Sequence, residues 1–141
     1  MFFTISIQSI YNIGQCFYYP EMKIKKEALE FILGVSKRFY PDEFGGLLRG
    51  AGDLIEEVLV IPASTYGKDF VTTRFDMVPI DHSIIGSVHS HPAYGFLPSK
   101  ADLEFFRKIG FVHLIARKPY CGVEDIAAYD REGTRIHLEE V

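Results

Sequence analysis

The stretch that most limits what this chain can fold into runs from Ile84 to Asp102. A short apolar run, Ile84-Ile85-Gly86-Ser87-Val88-His89, ends against Pro92. Residues 92–98 (Pro-Ala-Tyr-Gly-Phe-Leu-Pro) hold two prolines and a glycine, and only a loop suits them. Ser99 then opens a helical pattern reaching about Ile109, with Leu103, Phe106 and Ile109 or Gly110 on its inner side. A strand must therefore pass through a short loop into a helix start. Whatever ends the strand meets whatever begins the helix.

Those two ends carry chemistry. His89 and His91 are two apart at a strand end, so both side chains leave the same face. Ser99 and Asp102 are three apart at a helix start and also share a face. A seven-residue loop is long enough to fold one over the other. Two imidazoles and a carboxylate then converge, and three N/O ligands with one open position is the pattern of a catalytic zinc site. A structural site would fill the fourth position, typically with Cys, and Cys121 lies beyond the next strand. Zinc lowers the pKa of bound water towards about 7, but hydrolysis still needs a base off the metal. Glu43, opening a glycine-containing strand just after Pro41, is the best placed carboxylate. Ser99 has a hydroxyl that can donate to an oxyanion or orient the water. Ser99-x-x-Asp102 also reads as a capping box, a role compatible with the first.

The rest of the chain supplies the frame. Met22-Lys23-Ile24-Lys25-Lys26-Glu27 opens a helix whose apolar stripe is Ile24, Ala28, Phe31, Val35 and Phe39, ended by Pro41. Strands are expected at residues 43–50, at 54–61 (apolar on both faces, hence buried), at 70–75 and at 111–116. A hairpin follows, residues 126–129 and 134–138, across Asp130-Arg131-Glu132-Gly133. This order predicts an α/β (α+β) single domain, a mixed sheet with helices packed on it. Residues 22–141 form the domain, and 1–21, aromatic and poorly patterned, read as an N-terminal extension or arm.

Composition excludes several classes. With 48% hydrophobic residues the chain is no disordered segment, and no apolar window approaches the length of a membrane span. The net charge is −4 and no basic block stands out, which argues against a nucleic-acid partner. Two distant cysteines, Cys16 and Cys121, fit a cytoplasmic protein, with Cys121 expected to be buried or half-buried. His82, His113 and His137 lack partners at ligand spacing, and His113 is expected in the core or at an edge.

At Glu43, His89-Ser90-His91-Pro92, Ser99 and Asp102 the sequence resembles the JAMM (MPN-plus) metallopeptidase motif, and Pro41 to Gly50 resembles that family's glutamate-bearing strand. The resemblance spans roughly Met22 to the C-terminus. It implies a curved mixed sheet flanked by helices, similar to cytidine deaminase. It also implies one Zn²⁺ per chain held by His89, His91 and Asp102, with Glu43 as general base then acid and Ser99 stabilising the tetrahedral intermediate. The implied activity is hydrolysis of (iso)peptide bonds after the Gly-Gly tail of a ubiquitin-like or sulfur-carrier protein. The short spans around the motif resemble compact prokaryotic members. An extended tail could add to an edge strand at Phe70 to Phe75, where Phe70, Thr72 and Thr73 are candidate contacts, while Tyr94, Phe96 and Leu97 would line the groove. The alternative is a non-catalytic MPN-type binding or scaffold module, against which the intact Glu43 argues. A zinc deaminase would need His-x-Glu and Pro-Cys-x-x-Cys elements that are missing here.

Overall fold

The structure, a computed structural model, describes residues 19–61 and 82–141. The expected edge strand at 70–75 therefore lies outside the described residues, with Phe70, Thr72 and Thr73, and so does most of the 1–21 arm. Seven strands and two helices are formed among the described residues. They are β1 (Glu21–Ile24), α1 (Lys26–Phe39), β2 (Gly45–Ala51), β3 (Leu54–Val60), β4 (Ile84–Ser90), α2 (Lys100–Phe106), β5 (Val112–Ala116), β6 (Ile126–Tyr129) and β7 (Arg135–Glu140), with a 3-10 turn at Val123–Asp125 before β6.

The sheet order is β1-β3-β2-β4-β5-β6-β7, and β1 closes it by pairing parallel to both β3 and β7. Most neighbours are antiparallel. The β4/β5 pair is parallel, and such a pair needs a crossover, here the 91–99 loop and α2. That crossover carries helix α2 over the end of β4.

Each helix covers one face of the sheet. α1 buries Ala28, Leu29, Ile32 and Leu33 against Phe44, Leu48, Val88, Leu114 and Ile136. α2 lays Phe105 and Phe106 on Ile115, Ala127 and Tyr129 on the other side. β5 is consequently buried at all five positions, as a strand covered on both faces must be.

Four local expectations are corrected. Glu21–Ile24 is a strand, not the opening of the helix: it alternates exposed and buried, with Met22 and Ile24 fully inside. The stripe of α1 is rotated from the expected one, because the sheet meets Ile32 and Leu33 and leaves Phe31 43% exposed. β3 is half-exposed rather than buried, since α1 covers one of its faces and Glu56, Glu57 and Val60 keep contact with solvent. Helix α2 also stops at Phe106, short of Ile109, and the chain turns at Gly110 (φ +62°) into β5.

Candidate metal centre

His89 is the last residue but one of β4, and His91 is the first residue past its end. Their Nε2 atoms are 3.3 Å apart. Asp102, at the third position of α2, places Oδ1 3.3 Å from His89 Nε2 and Oδ2 3.6 Å from His91 Nε2. Ligands about 2.0–2.1 Å from a zinc ion stand about 3.3 Å apart along a tetrahedron's edge, so this donor set fits zinc in spacing as well as in chemical type. The Nδ1 of His91 faces the Gly95 carbonyl at 3.3 Å, a contact that keeps a proton on Nδ1 and leaves Nε2 as donor to a metal. His89 and Asp102 are buried and His91 is 19% exposed, so the open side of the group is the His91 side.

The helix start holds Asp102 in place. Ser99 Oγ accepts the Asp102 N–H (3.0 Å), and Asp102 Oδ2 accepts the Ser99 N–H (2.8 Å), a complete capping box. The capping and ligating roles of Asp102 coexist because a carboxylate has lone pairs for both. Burial favours the neutral acid, but His89, His91 and the Ser99 N–H outweigh it and hold the carboxyl well below the usual carboxylate range. Burial likewise opposes a charge on His91, yet Asp102, the Glu43 carboxylate and the Gly95 carbonyl together raise its pKa.

Glu43 reaches the group through strand register. Gly45 of β2 pairs with His89 of β4, and the same antiparallel register carried two residues further would set Glu43 opposite His91, whose charge Glu43 favours. Ser90 clamps this end: its N–H donates to the Phe44 carbonyl (2.9 Å) and its Oγ accepts the Phe44 N–H (2.8 Å). Gly45, opposite His89, adds no side chain above the metal ligands.

The loop of residues 92–98 is fastened from below. The guanidinium groups of Arg117 (4.2 Å) and Arg135 (4.8 Å) both lie over the Phe96 ring, and the Phe96 carbonyl accepts from the Tyr129 hydroxyl (2.7 Å). Phe96 is thus used to hold the loop. Tyr94 and Leu97, 68% and 79% exposed, are the loop residues offered outward.

Reading the sequence missed Ser90, Gly45 and Tyr120. Ser90 was hidden inside the motif it serves, and Tyr120 acts across a turn far away in sequence. His113 is fully buried on the α2 face, its Nδ1 2.7 Å from Ser87 Oγ and its ring stacked on Phe106 (4.3 Å between centres). His137, expected to have no ligand partners, stands beside Glu21 and Glu139 in an exposed group on β1 and β7. His82 is exposed. Cys121 is exposed rather than buried, because the turn that carries it directs the neighbouring Tyr120 inward instead.

Comparison with known proteins points the same way. Residues 25–132 match the family model for prokaryotic homologues of the JAB domain. A probable metalloprotease of Haloferax volcanii is 39% identical over 120 residues, covering 78% of this chain and 73% of the relative. A JAB1/MPN domain protein from Archaeoglobus fulgidus has a solved structure similar at a TM-score of 0.67 and 33% identity, covering 85% of this chain and 99% of that one. A second structure, described as a metalloprotease-like JAMM zinc site in the proteasome and signalosome, matches at a TM-score of 0.67 and 32% identity, over 85% and 97% of the two chains.

Proposed function

Since the chain belongs to the JAMM metalloproteases, in their prokaryotic JAB-domain branch, we propose that its site hydrolyses the (iso)peptide bond that follows the Gly-Gly tail of a ubiquitin-like or sulfur-carrier protein. The observation that carries the reading is the His89–His91–Asp102 group at tetrahedral spacing, open on the side of His91, whose pKa the Glu43 carboxylate helps to raise. Zinc held there would supply Lewis acidity and a water acidified towards neutral pH.

The chain's own residues account for the proton and the charge. The Glu43 carboxylate takes the proton from the attacking water and returns it to the leaving nitrogen, so that an amine departs. Ser99 Oγ already accepts the Asp102 N–H, which leaves its own O–H proton free to donate to the developing oxyanion. Tyr94 and Leu97 are the exposed apolar surfaces for the tail. The burial of two of the three ligands supports a glycine tail: the scissile carbonyl must come close to backbone and loop, and glycine offers least obstruction.

The test joins metal content to cleavage. One zinc per chain is expected, lost in His89→Ala/His91→Ala together with cleavage of a Gly-Gly-tailed conjugate. Glu43→Gln should keep the zinc and lose about 10²–10⁴ of the rate. Full cleavage by metal-free protein would refute the reading, and so would full cleavage by Glu43→Gln.

A further inference from the structure

Of the three side chains that converge on the metal centre, two sit on regular structure: His89 on β4 and Asp102 inside a capped helix. His91 does not. β4 ends at Ser90, and His91 lies where the sheet ladder has run out. Its N–H still finds a strand-like partner in the Ala116 carbonyl at the end of β5 (2.7 Å). Its carbonyl accepts the phenol of Tyr120, at 2.6 Å. The phenol takes the place that a neighbouring strand's N–H would have filled.

Tyr120 is held there against its own backbone preference. Its φ is +58°, a left-handed value that bulky residues avoid, and strain of this kind persists where the surroundings fix it and where it serves a site. The surroundings do fix it. The Tyr120 N–H donates to the Arg117 carbonyl (2.9 Å), and the Cys121 N–H to Asp125 Oδ2 (2.8 Å). The other oxygen of the buried Asp125 accepts from Arg117 Nε (3.1 Å). This braced turn sends the phenol inward, where it is 4% exposed, while its neighbours face solvent.

We propose that Tyr120 is a positioning residue for the metal centre, fixing the peptide of His91 beyond the end of β4 so that the imidazole keeps its distance from His89 and Asp102. The inference rests on the metallopeptidase reading only in taking His91 as a ligand.

The fold contains its own control. Tyr129 makes the same kind of bond, phenol to backbone carbonyl at 2.7 Å, in the same loop but at Phe96, which is no ligand. Tyr120→Phe and Tyr129→Phe each remove one hydroxyl and keep the ring, and the first leaves the φ strain as it was. Zinc affinity is measured by competition with a chromophoric chelator, alongside the melting temperature of each metal-free protein. Cobalt(II) serves as a second probe through its visible bands. Tyr120→Phe should bind zinc about tenfold more weakly than wild type, with shifted cobalt bands. Tyr129→Phe should melt lower by a similar margin and bind zinc and cobalt as wild type does. Equal zinc loss in the two variants would make Tyr120 an ordinary loop support and overturn the proposal. Wild-type affinity and spectrum in Tyr120→Phe would overturn it as well, leaving the metallopeptidase reading intact. A wild-type protein that binds no zinc would overturn both.

Discussion

His113 shows what a single buried side chain does to the pH response. Burial pushes its pKa down to about 3, against an opposing effect of the Phe106 backbone and with lesser help from the charges of His89 and Arg131. In the unfolded chain it takes up a proton near pH 6.5, so between about 6.5 and 3 the unfolded state binds more protons than the folded one. The contribution of His113 is therefore complete above pH 6.5 and falls as the pH drops, by up to about 1.4 kcal/mol per unit. Denaturant titrations of the metal-free protein at pH 7, 6 and 5 should show this slope. In His113→Leu it should be largely absent. At this scale the site was legible in the sequence where the chemistry prescribes the residue type. Two imidazoles and a carboxylate have few substitutes as metal ligands, so His89, His91 and Asp102, which the structure brings together, could be picked out from type and spacing. Tyr120 and Ser90 could not, because a hydrogen bond to a backbone carbonyl or N–H leaves no mark on the sequence of the residue it holds.

Elements respond to glycine according to what surrounds it. Gly34, on the exposed side of α1, has nothing within 4 Å of where a Cβ would stand, so Gly34→Ala should stabilise by about 0.5–1 kcal/mol. Gly86 of β4 would put its Cβ 1.6 Å from the Val112 carbonyl oxygen on β5. Gly86→Ala must push β4 and β5 apart and should destabilise by at least about 1–3 kcal/mol. Thermal melts of the two variants should move in opposite directions. Ser99 separates capping from catalysis in a similar way. Ser99→Ala should cost about 0.5–2 kcal/mol of stability, Ser99→Gly only a few tenths, while both should lose about 10²–10³ of the cleavage rate. Equal stability losses, or unimpaired turnover in Ser99→Gly, would count against the double role. The elements themselves were readable where the periodic run is long. β1 was missed because four residues of alternation, Glu-Met-Lys-Ile, sit against the lysine-rich start of a helix and are swallowed by its pattern. The stripe of α1 was misplaced because Phe31 is apolar enough to mimic a core residue, and only the position of the sheet decides which flank is covered.

At the scale of the whole molecule, the strand read as helix is the one that closes the sheet. β1 lies parallel between β3 and β7 and brings Met22 and Ile24 fully into the core. Burying two such side chains contributes about 3–6 kcal/mol, a large share of the total stability of a domain this size. A chain begun at Lys25, where the family match starts, should melt at least about 10 °C below one begun at Tyr19, or fail to fold. Equal melting temperatures would show the closure to be dispensable. This closure was not legible because it pairs residues from opposite ends of the described chain, and no local pattern records a partner so distant.

The order in which the site is assembled along the chain has one more consequence. The three metal ligands fall within fourteen consecutive residues joined by a short loop, with little loop entropy to overcome, and His91 is then fixed by Ala116 of β5 and by Tyr120. Glu43 arrives from another part of the sequence, and only when β2 has paired with β4 in the right register. On the proposed function, the ligand segment alone would lack the carboxylate, and cleavage would wait on the pairing of β2 with β4.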